Sequence, residues 1–199
     1  MYRQIIWITV LAGFFIWSAI EPRDRSTWYL EVFPVIIGVL VLAATYRSFR
    51  LTTLVYVLIL LHCIVLLVGG HYTYAEVPFF NDMKSLLGFE RNNYDKLGHL
   101  MQGFVPAMIA RELIIRLDII QGRYWRNFFI VCFVLALSAF YELLEWWVAL
   151  FSEQAAEAFL GTQGYEWDTQ SDMGYALIGA VAALLLLSKL HDRQLGKYI

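Results

Sequence analysis

Leu51–Gly70, which reads LTTLVYVLILLHCIVLLVGG, decides the fold class of this 199-residue chain. His62 is its only histidine or charged residue, and a helix needs roughly 20 mostly apolar residues to cross a bilayer. The whole chain has the same character. Of its residues, 60% are hydrophobic and only 16% are charged, against about 25% charged in a soluble domain. The sequence therefore predicts an all-α fold, a polytopic membrane helical bundle.

Similar apolar blocks on both sides of this stretch bring the prediction to six transmembrane helices. The predicted spans are about 5–20, 29–46, 51–70, 97–117, 127–151 and 173–190. The fourth is the weakest, because Gln102, Arg111 and Glu112 interrupt it. The first ends in Trp17–Pro22 without the small-x-small pattern of a signal-peptide cleavage site, so we expect a retained helix. No repeat or linker divides the chain, which predicts a single integral membrane domain over residues 1–199.

Charge and cysteine content argue against a nucleic-acid partner and against a functional cysteine pair. The formal net charge is −2, which offers a polyelectrolyte no attraction, so we expect no nucleic-acid partner. Cys63 and Cys132 both fall inside apolar blocks, where a free thiol behaves as a small buried hydrophobe. We therefore expect neither a disulfide nor a cysteine metal pair.

The distribution of lysine and arginine predicts the orientation, because cytoplasmic segments of membrane proteins collect these residues. With the N-terminus inside, ten of them fall on the cytoplasmic side and five on the periplasmic side. The ten are Arg3, Arg47, Arg50, Arg111, Arg116, Arg123, Arg126, Lys189, Arg193 and Lys197. We therefore predict a multi-pass protein of a bacterial inner membrane with both termini in the cytoplasm, N-in and C-in.

Polar residues in or beside the spans gather in three segments. These are Tyr94–His99 at the start of the fourth span, Ser138–Trp147 late in the fifth and Trp167–Asp172 at the start of the sixth. A charge at the centre of a membrane helix costs about 2.5–3.5 kcal/mol on insertion scales, so such residues indicate a functional or structural role. In the predicted topology all three segments lie near the periplasmic face. Their convergence predicts a pocket there with several carboxylates and one imidazole.

Helical spacing adds detail to this predicted pocket. Asp95 and His99 share a helix face at a spacing of four residues, and Glu142 and Glu145 do so at three. Small residues that would let helices approach closely are Gly98, Gly103, Gly174 and Gly179. The candidate catalytic residues are Asp95, His99, Glu142, Glu145, Asp168 and Asp172. The candidate substrate-binding residues are Lys96, Gln102, Tyr141, Trp146, Gln163, Trp167 and Gln170.

Several of these residues have a purely structural alternative. Asp95 or Asn93 fits a helix cap, and Thr169 with Asp172 fits a capping box. Lys96 could form an ion pair with either glutamate of the second segment. The tryptophans of that segment fit an interfacial belt.

Two further polar sites in the spans fit structural roles. His62 fits a hydrogen bond between helices better than a ligand role. The pair Arg111–Glu112 lies roughly 18 Å along the helix from His99, so we expect it to anchor the cytoplasmic end.

Several carboxylates with one histidine suit a divalent cation. Oxygen ligands favour magnesium, calcium or manganese, and an imidazole admits zinc or iron. The candidate ligands are His99, Glu142, Glu145 and Asp172. A bound metal could activate water for hydrolysis of a lipid-linked ester or amide. Without metal, paired carboxylates would share protons, which suits acid–base catalysis or proton-coupled transport. The sequence leaves open whether the protein is an enzyme.

The same motifs resemble a known family. Asp95–His99 with Gln102–Phe104, Tyr141–Trp146, Gly161–Gly164 and Trp167–Met173 are similar to motifs of the YjdF family of bacterial inner-membrane proteins, over most of the chain. They are more distantly similar to VanZ-like membrane proteins, although the arginine and asparagine that flank the aspartate of that pattern have no match here. The first resemblance implies a location and a site without an established activity. The second implies work on the cell envelope or its lipids.

These observations favour an inner-membrane protein whose periplasm-facing pocket binds a lipid or envelope amphiphile, as a metal-dependent hydrolase or transferase. A small proton-coupled transporter would use the same carboxylates. A non-catalytic envelope assembly factor would dock a protein partner on the outer loop Ser152–Asp172, which has five acidic residues and no lysine or arginine.

Overall fold

The fold is known from a computed structural model that describes residues 2–151 and 163–198. Over these ranges the chain forms seven α-helices and no strand. They are α1 Tyr2–Ala19, α2 Arg25–Thr45, α3 Thr53–Tyr72, α4 Pro78–Leu87, α5 Tyr94–Arg116, α6 Arg123–Phe151 and α7 Asp168–Leu195. Five of them (α1, α2, α3, α6 and α7) are long and apolar enough to cross a membrane. The prediction of an all-α, polytopic membrane bundle is confirmed.

Helix α5 corresponds to the fourth predicted span and has the highest proportion of charged residues among the six long helices, five in 23. Its 23 residues rise about 34 Å, which exceeds the roughly 30 Å hydrocarbon core of a bilayer. Lys96, Arg111 and Glu112 are buried in the protein, and α5 packs against α3, α6 and α7. The charges of α5 therefore face neighbouring helices, the arrangement in which a membrane helix tolerates them.

The polar stretch that precedes α5 contains a short helix that the sequence analysis did not predict. Pro78 occupies its first turn, and Gly88 ends it in the left-handed conformation at φ +70°. Asn92 ties it to the start of α5, because its amide donates to the Val77 carbonyl at 3.0 Å and to Asn81 Oδ1 at 2.7 Å. Helix α4 therefore caps the end of the bundle where α5 begins.

Helices α3 and α5 form the centre of the bundle. Helices α1 and α2 pack on α3, whereas α6 and α7 pack on α5. The indole of Trp7 on α1 donates to the Tyr56 carbonyl on α3 at 2.8 Å. Helices α2 and α6 both border the cavity described below, where the Tyr141 hydroxyl of α6 contacts Glu31 of α2.

Helices α5 and α7 approach each other most closely where glycine leaves room for backbone. A Cβ on Gly103 would overlap the carbonyl of Ala176, and one on Gly179 would overlap the carbonyl of Leu100. These two contacts confirm the expectation that small residues permit close packing. Gly174 differs, because its Cα faces open space.

A buried polar cluster joins α3, α5 and α7 at the other end of α5. Glu112 accepts hydrogen bonds from Thr52 Oγ1 at 2.7 Å and Arg116 Nη1 at 2.8 Å. His191 lies between Glu112 and Arg111, with its ring nitrogens 3.0 Å from Glu112 Oε2 and 2.9 Å from Arg111 Nη1. The Arg111–Glu112 pair therefore anchors this end of α5, as expected, through partners on two other helices.

Candidate functional site

The three polar segments meet at the end of the bundle where α5 and α7 begin. Lys96 on α5 reaches α7, where its Nζ lies 2.8 Å from Asp168 Oδ1, 2.7 Å from Asp172 Oδ1 and 2.6 Å from Ser171 Oγ. His99 on α5 faces α6, with Nδ1 3.9 Å from Glu142 Oε1. The convergence expected from the sequence is therefore present in the structure.

Two of the structural alternatives predicted for this region are wrong. Lys96 pairs with the aspartates of α7 rather than with a glutamate of α6, so the alternative pairing is wrong. The capping box is wrong too, since Trp167 occupies the N-cap of α7 without a side-chain bond. The acids Asp168 and Asp172 neutralise a buried lysine because α7 begins five residues before the predicted span, which sets its first turn against α5.

Arg91 is a second cation at this end, and the sequence analysis did not single it out. Its guanidinium contacts Asp168 closely, and its Nη2 lies 3.4 Å from Asp95 Oδ2. The ring of Tyr165 lies 5.6 Å from Arg91 and 5.4 Å from Lys96, within the range of a cation–π contact. The spacing of four residues between Arg91 and Asp95 was the available signal, and it was overlooked because Arg91 precedes the helix.

The orientation of the His99 ring is fixed by Gln102. His99 Nδ1 lies 3.0 Å from Gln102 Oε1, and an amide oxygen only accepts, so Nδ1 carries the hydrogen. Nε2 then turns toward Asp95 Oδ1 at 3.4 Å and Asp172 Oδ2 at 3.7 Å. The Nε2 lone pair would be repelled by the two carboxylates, so a proton or a metal cation must lie between them.

Asp95, His99 and Asp172 are grouped as metal ligands would be. One ligand atom from each lies within 4.8 Å of the others. Around a tetrahedral ion with bonds of about 2.1 Å, neighbouring ligand atoms lie about 3.4 Å apart, so a small inward shift would complete the set. The group differs from the predicted ligands, because it includes Asp95 and omits both glutamates of α6.

The two glutamates of α6 lie around this group. Oε1 of Glu142 is buried and has no hydrogen-bond partner among the residues that the structure describes. Glu145 lines a cavity of about 170 Å³ that also touches Asp95 and His99. Further polar residues on its wall are Glu31, His62, Tyr74, Gln102 and Tyr141.

Glu31 on α2 reaches this cavity from the opposite side. It is 6% exposed, and its Oε2 accepts a hydrogen bond from the Tyr141 hydroxyl at 3.4 Å. Glu31 was not among the predicted site residues, although it is the only charged residue within the second predicted span. A charge in an apolar span was a usable signal, but Glu31 lies near the helix start, where charges are common.

Tyr74 closes the cavity from the loop between α3 and α4. A Cβ on Gly98 would come within 3.0 Å of its ring, and one on Gly69 would overlap it, so glycines on α5 and α3 make room for the phenol. Burial raises the pKa of Tyr74 well above its ordinary value, so its hydroxyl stays protonated. His62 lines the same cavity, and the described residues offer its Nε2 no hydrogen-bond partner, in contrast to the expected helix–helix bond.

Comparison with known proteins identifies the family. Residues 3–193 match a family described as "Predicted membrane protein (DUF2238)". The chain belongs to this family. The inner membrane protein YjdF of Escherichia coli (strain K12) is 51% identical over 183 residues, which cover 92% of this chain and 88% of the E. coli protein. No solved structure matches.

These findings confirm the resemblance to the YjdF family and the assignment to the inner membrane. The orientation of the termini and the roles of the candidate residues stay predictions. For the DUF2238 family the structure adds a geometry, in which a histidine, several carboxylates and two cations meet at one end of the bundle.

Some candidate residues of this DUF2238 protein lie away from the cavity. The side-chain amide of Gln163 pairs with the backbone of Asn92, accepting from its nitrogen at 3.0 Å and donating to its carbonyl at 2.9 Å. Trp146 and Trp167 are exposed, as the belt interpretation expects for Trp146. Gln170 is exposed too. The part of the acidic loop at 152–162, with Gly161 and Thr162 of the family motif, lies outside the described residues.

Proposed function

We propose that this protein binds the headgroup of a membrane lipid or similar envelope amphiphile in the cavity beside His99. With a divalent cation at Asp95, His99 and Asp172, the protein would then hydrolyse a headgroup ester or transfer the headgroup. One observation carries the proposal: an imidazole nitrogen turned toward two carboxylates, on the wall of a cavity between apolar helices.

The hydrogen bond between His99 and Gln102 supports a cation at this position. Metal-binding histidines usually donate their other ring nitrogen to an oxygen acceptor, and Gln102 Oε1 fills that role here. Lys96 and Arg91 satisfy other oxygens of Asp95 and Asp172, which leaves Asp95 Oδ1 and Asp172 Oδ2 facing His99. Two carboxylate oxygens and one imidazole nitrogen suit manganese or zinc.

We assign the proton transfer in this chemistry to Glu142, which lies beside the Nδ1 edge of His99. Asp95, His99 and Asp172 would hold the cation, which would supply activation of a water molecule, and the water oxygen would bond to the ester phosphorus or carbonyl carbon. The ester bond to the leaving alcohol breaks, and the alcohol departs with the proton that Glu142 accepted from water. Oε1 of Glu142 is suited to this because it is buried beside His99 and lacks a partner among the described residues.

The location of the cavity argues for a lipid rather than a water-soluble substrate. Its wall is formed by α2, α3, α5 and α6, and three of these helices are apolar enough to cross a membrane. A headgroup at that depth stays attached to chains in the bilayer, whereas a soluble substrate would have to leave water. In the predicted N-in topology this end lies at the periplasmic face, where envelope lipids are modified.

Product analysis tests the proposal. We would incubate the full chain in mixed micelles with a bacterial lipid extract and follow released headgroups by mass spectrometry, with and without EDTA and added Mn²⁺ or Zn²⁺. We expect a product that depends on the cation and falls on the order of 100-fold in His99→Ala and Glu142→Gln. Folded wild-type protein that forms no cation-dependent product from any lipid class would contradict enzymatic function.

A proton-coupled carrier is the second candidate, and one feature favours it. Glu31, Glu142 and Glu145 are set close to one imidazole, and clustered carboxylates in a membrane interior hold and release protons. Such a carrier would acidify or alkalinise the lumen of proteoliposomes when its substrate is added, without any divalent cation. A pH-sensitive dye inside the vesicles measures this.

A further inference from the structure

The wall of the cavity beside His99 has an uneven charge. It carries the carboxyl groups of Glu31, Asp95 and Glu145, and its described lining has no lysine or arginine. The two cations of this region bind the aspartates, since Lys96 is bound to Asp168 and Asp172, and Arg91 contacts Asp168 and Asp95. Neither is paired with Glu31 or Glu145 among the described contacts. The cavity therefore offers the carboxyl groups of Glu31 and Glu145 to a ligand that donates hydrogen bonds or carries positive charge.

A divalent cation at the His99 group would use only one of these three carboxylates. Asp95 belongs to that group, whereas Glu31 and Glu145 lie outside it. Glu31 is buried with a single hydrogen bond from Tyr141, at the long distance of 3.4 Å, among the described contacts. A buried carboxylate accepts several hydrogen bonds, so Glu31 has acceptor capacity left for a donor on a ligand.

A groove between α2 and α6 is lined by the sequence neighbours of these two glutamates. Tyr29 and Leu30 of α2 and Leu144, Trp147 and Val148 of α6 line it. Leu30 immediately precedes Glu31, and Leu144 immediately precedes Glu145, so the groove and the cavity lie along the same two helices. Both helices are membrane spans by length and composition, so the occupant available to this groove is the acyl chain of a bilayer lipid.

We propose that the lipid bound by this site carries an amine in its headgroup. It enters sideways between α2 and α6, and its ammonium binds Glu31 and Glu145 while its phosphate lies toward the His99 group. The inference rests on the proposed lipid-binding function and narrows it to zwitterionic aminophospholipids. An ammonium supplies three donors, and charge-assisted hydrogen bonds to carboxylates are about twice as strong as neutral ones.

Binding of matched lipids tests this without any variant. The probes are dioleoyl phosphatidylethanolamine and dioleoyl phosphatidylglycerol. They share acyl chains and phosphate and differ in the headgroup alcohol, which carries an amine in the first and only hydroxyl groups in the second. Titrated into the full chain in detergent and read by native mass spectrometry, the amine lipid should bind about 10-fold tighter or more. Equal affinity for the two lipids would overturn the inference.

Isosteric variants show whether these glutamates are responsible. In Glu31→Gln and Glu145→Gln the preference for the amine lipid should shrink toward unity, whereas Glu90→Gln, at an exposed position, should keep it. A preference that survives in both variants would overturn the assignment to these residues. Metal uptake by the wild-type protein is measured separately. Uptake without headgroup preference would refute the inference and leave the proposed function standing.

Discussion

Lys96 is the residue on which the charge balance of the candidate site depends most. Its side chain is 9% exposed and contacts two carboxylates that are also buried, Asp168 and Asp172. Breaking a buried ion pair by removing one partner is far costlier than removing an exposed pair, because the remaining charge stays unpaired. The aspartates of α7 should therefore tolerate the loss of Lys96 poorly.

Lys96→Met should destabilise the protein by about 3–5 kcal/mol, since it leaves both aspartates with less compensation. The free energy of unfolding can be measured by SDS titration in mixed micelles. Lys189→Met, at an exposed position, is the matched control and should change little. Equal effects of the two variants would show that the lysine–aspartate contacts contribute no stability.

At the residue scale, the sequence predicted the residues of the site more accurately than it predicted their partners. Asp95, His99 and Glu142 could be brought together because spacing defines a helix face and the alternation of spans defines an end. The partners of Lys96 could not be predicted, because they depend on where α7 begins and how it is rotated. Glu31 was missed for a related reason: nothing in the sequence shows that α2 borders the same cavity as α6.

At the scale of elements, the contact between α5 and α7 positions Asp172 against His99. It is so close that backbone atoms of one helix occupy the space where a side chain of the other would begin, at Gly103 and Gly179. Gly103 and Gly179 could be predicted from the sequence to be packing sites, whereas the same prediction was wrong for Gly174. Their difference in environment could not, because Gly174 has open space and only the helix rotation decides this.

Gly103→Ala should separate α5 from α7 and destabilise the protein by about 1–3 kcal/mol, the usual cost of overpacking. Gly174→Ala is the matched control, because the same methyl group meets nothing within 4 Å. Unfolding in mixed micelles measures both. A Gly103→Ala variant as stable as Gly174→Ala would contradict the close approach.

In the polar cluster at the other end of α5, the adjacent residues His191 and Asp192 should differ in how much they contribute to stability. His191 is fully buried between Arg111 and Glu112, whereas the Asp192 side chain is 59% exposed although it also contacts Arg111. His191→Ala should therefore destabilise by about 3 kcal/mol and Asp192→Ala by about 1 kcal/mol or less. The same unfolding assay measures both, and a larger effect at Asp192 would contradict the anchor.

At the scale of the whole molecule, the apolar blocks predicted the class of fold and the number of long helices that contribute to the bundle. Helix α4 was not predicted, because its ten residues are too few and too polar to resemble a span. The charges of α5 made it the weakest predicted span. The structure explains them, since they pair with α3 and α7 instead of facing lipid.

The orientation of the whole bundle is a further prediction. Lysines and arginines favour the cytoplasm for both termini, which places the His99 end at the periplasmic face. A C-terminal fusion to a reporter active only in the periplasm should therefore be silent, and a fusion to a cytoplasmic fluorescent reporter should be bright. Strong periplasmic signal from the C-terminal fusion would reverse the orientation and the predicted compartment of the site.

The central claim is that Asp95, His99 and Asp172 hold a divalent cation. Titration calorimetry of Mn²⁺ or Zn²⁺ into EDTA-treated full chain tests it most directly, with His62→Ala as the control because His62 lines the cavity outside the ligand group. We predict one ion per chain, with affinity reduced at least about 10-fold in His99→Ala and Asp172→Asn and retained in His62→Ala. Absence of saturable binding by the wild-type protein, or equal binding by His99→Ala, would contradict the claim.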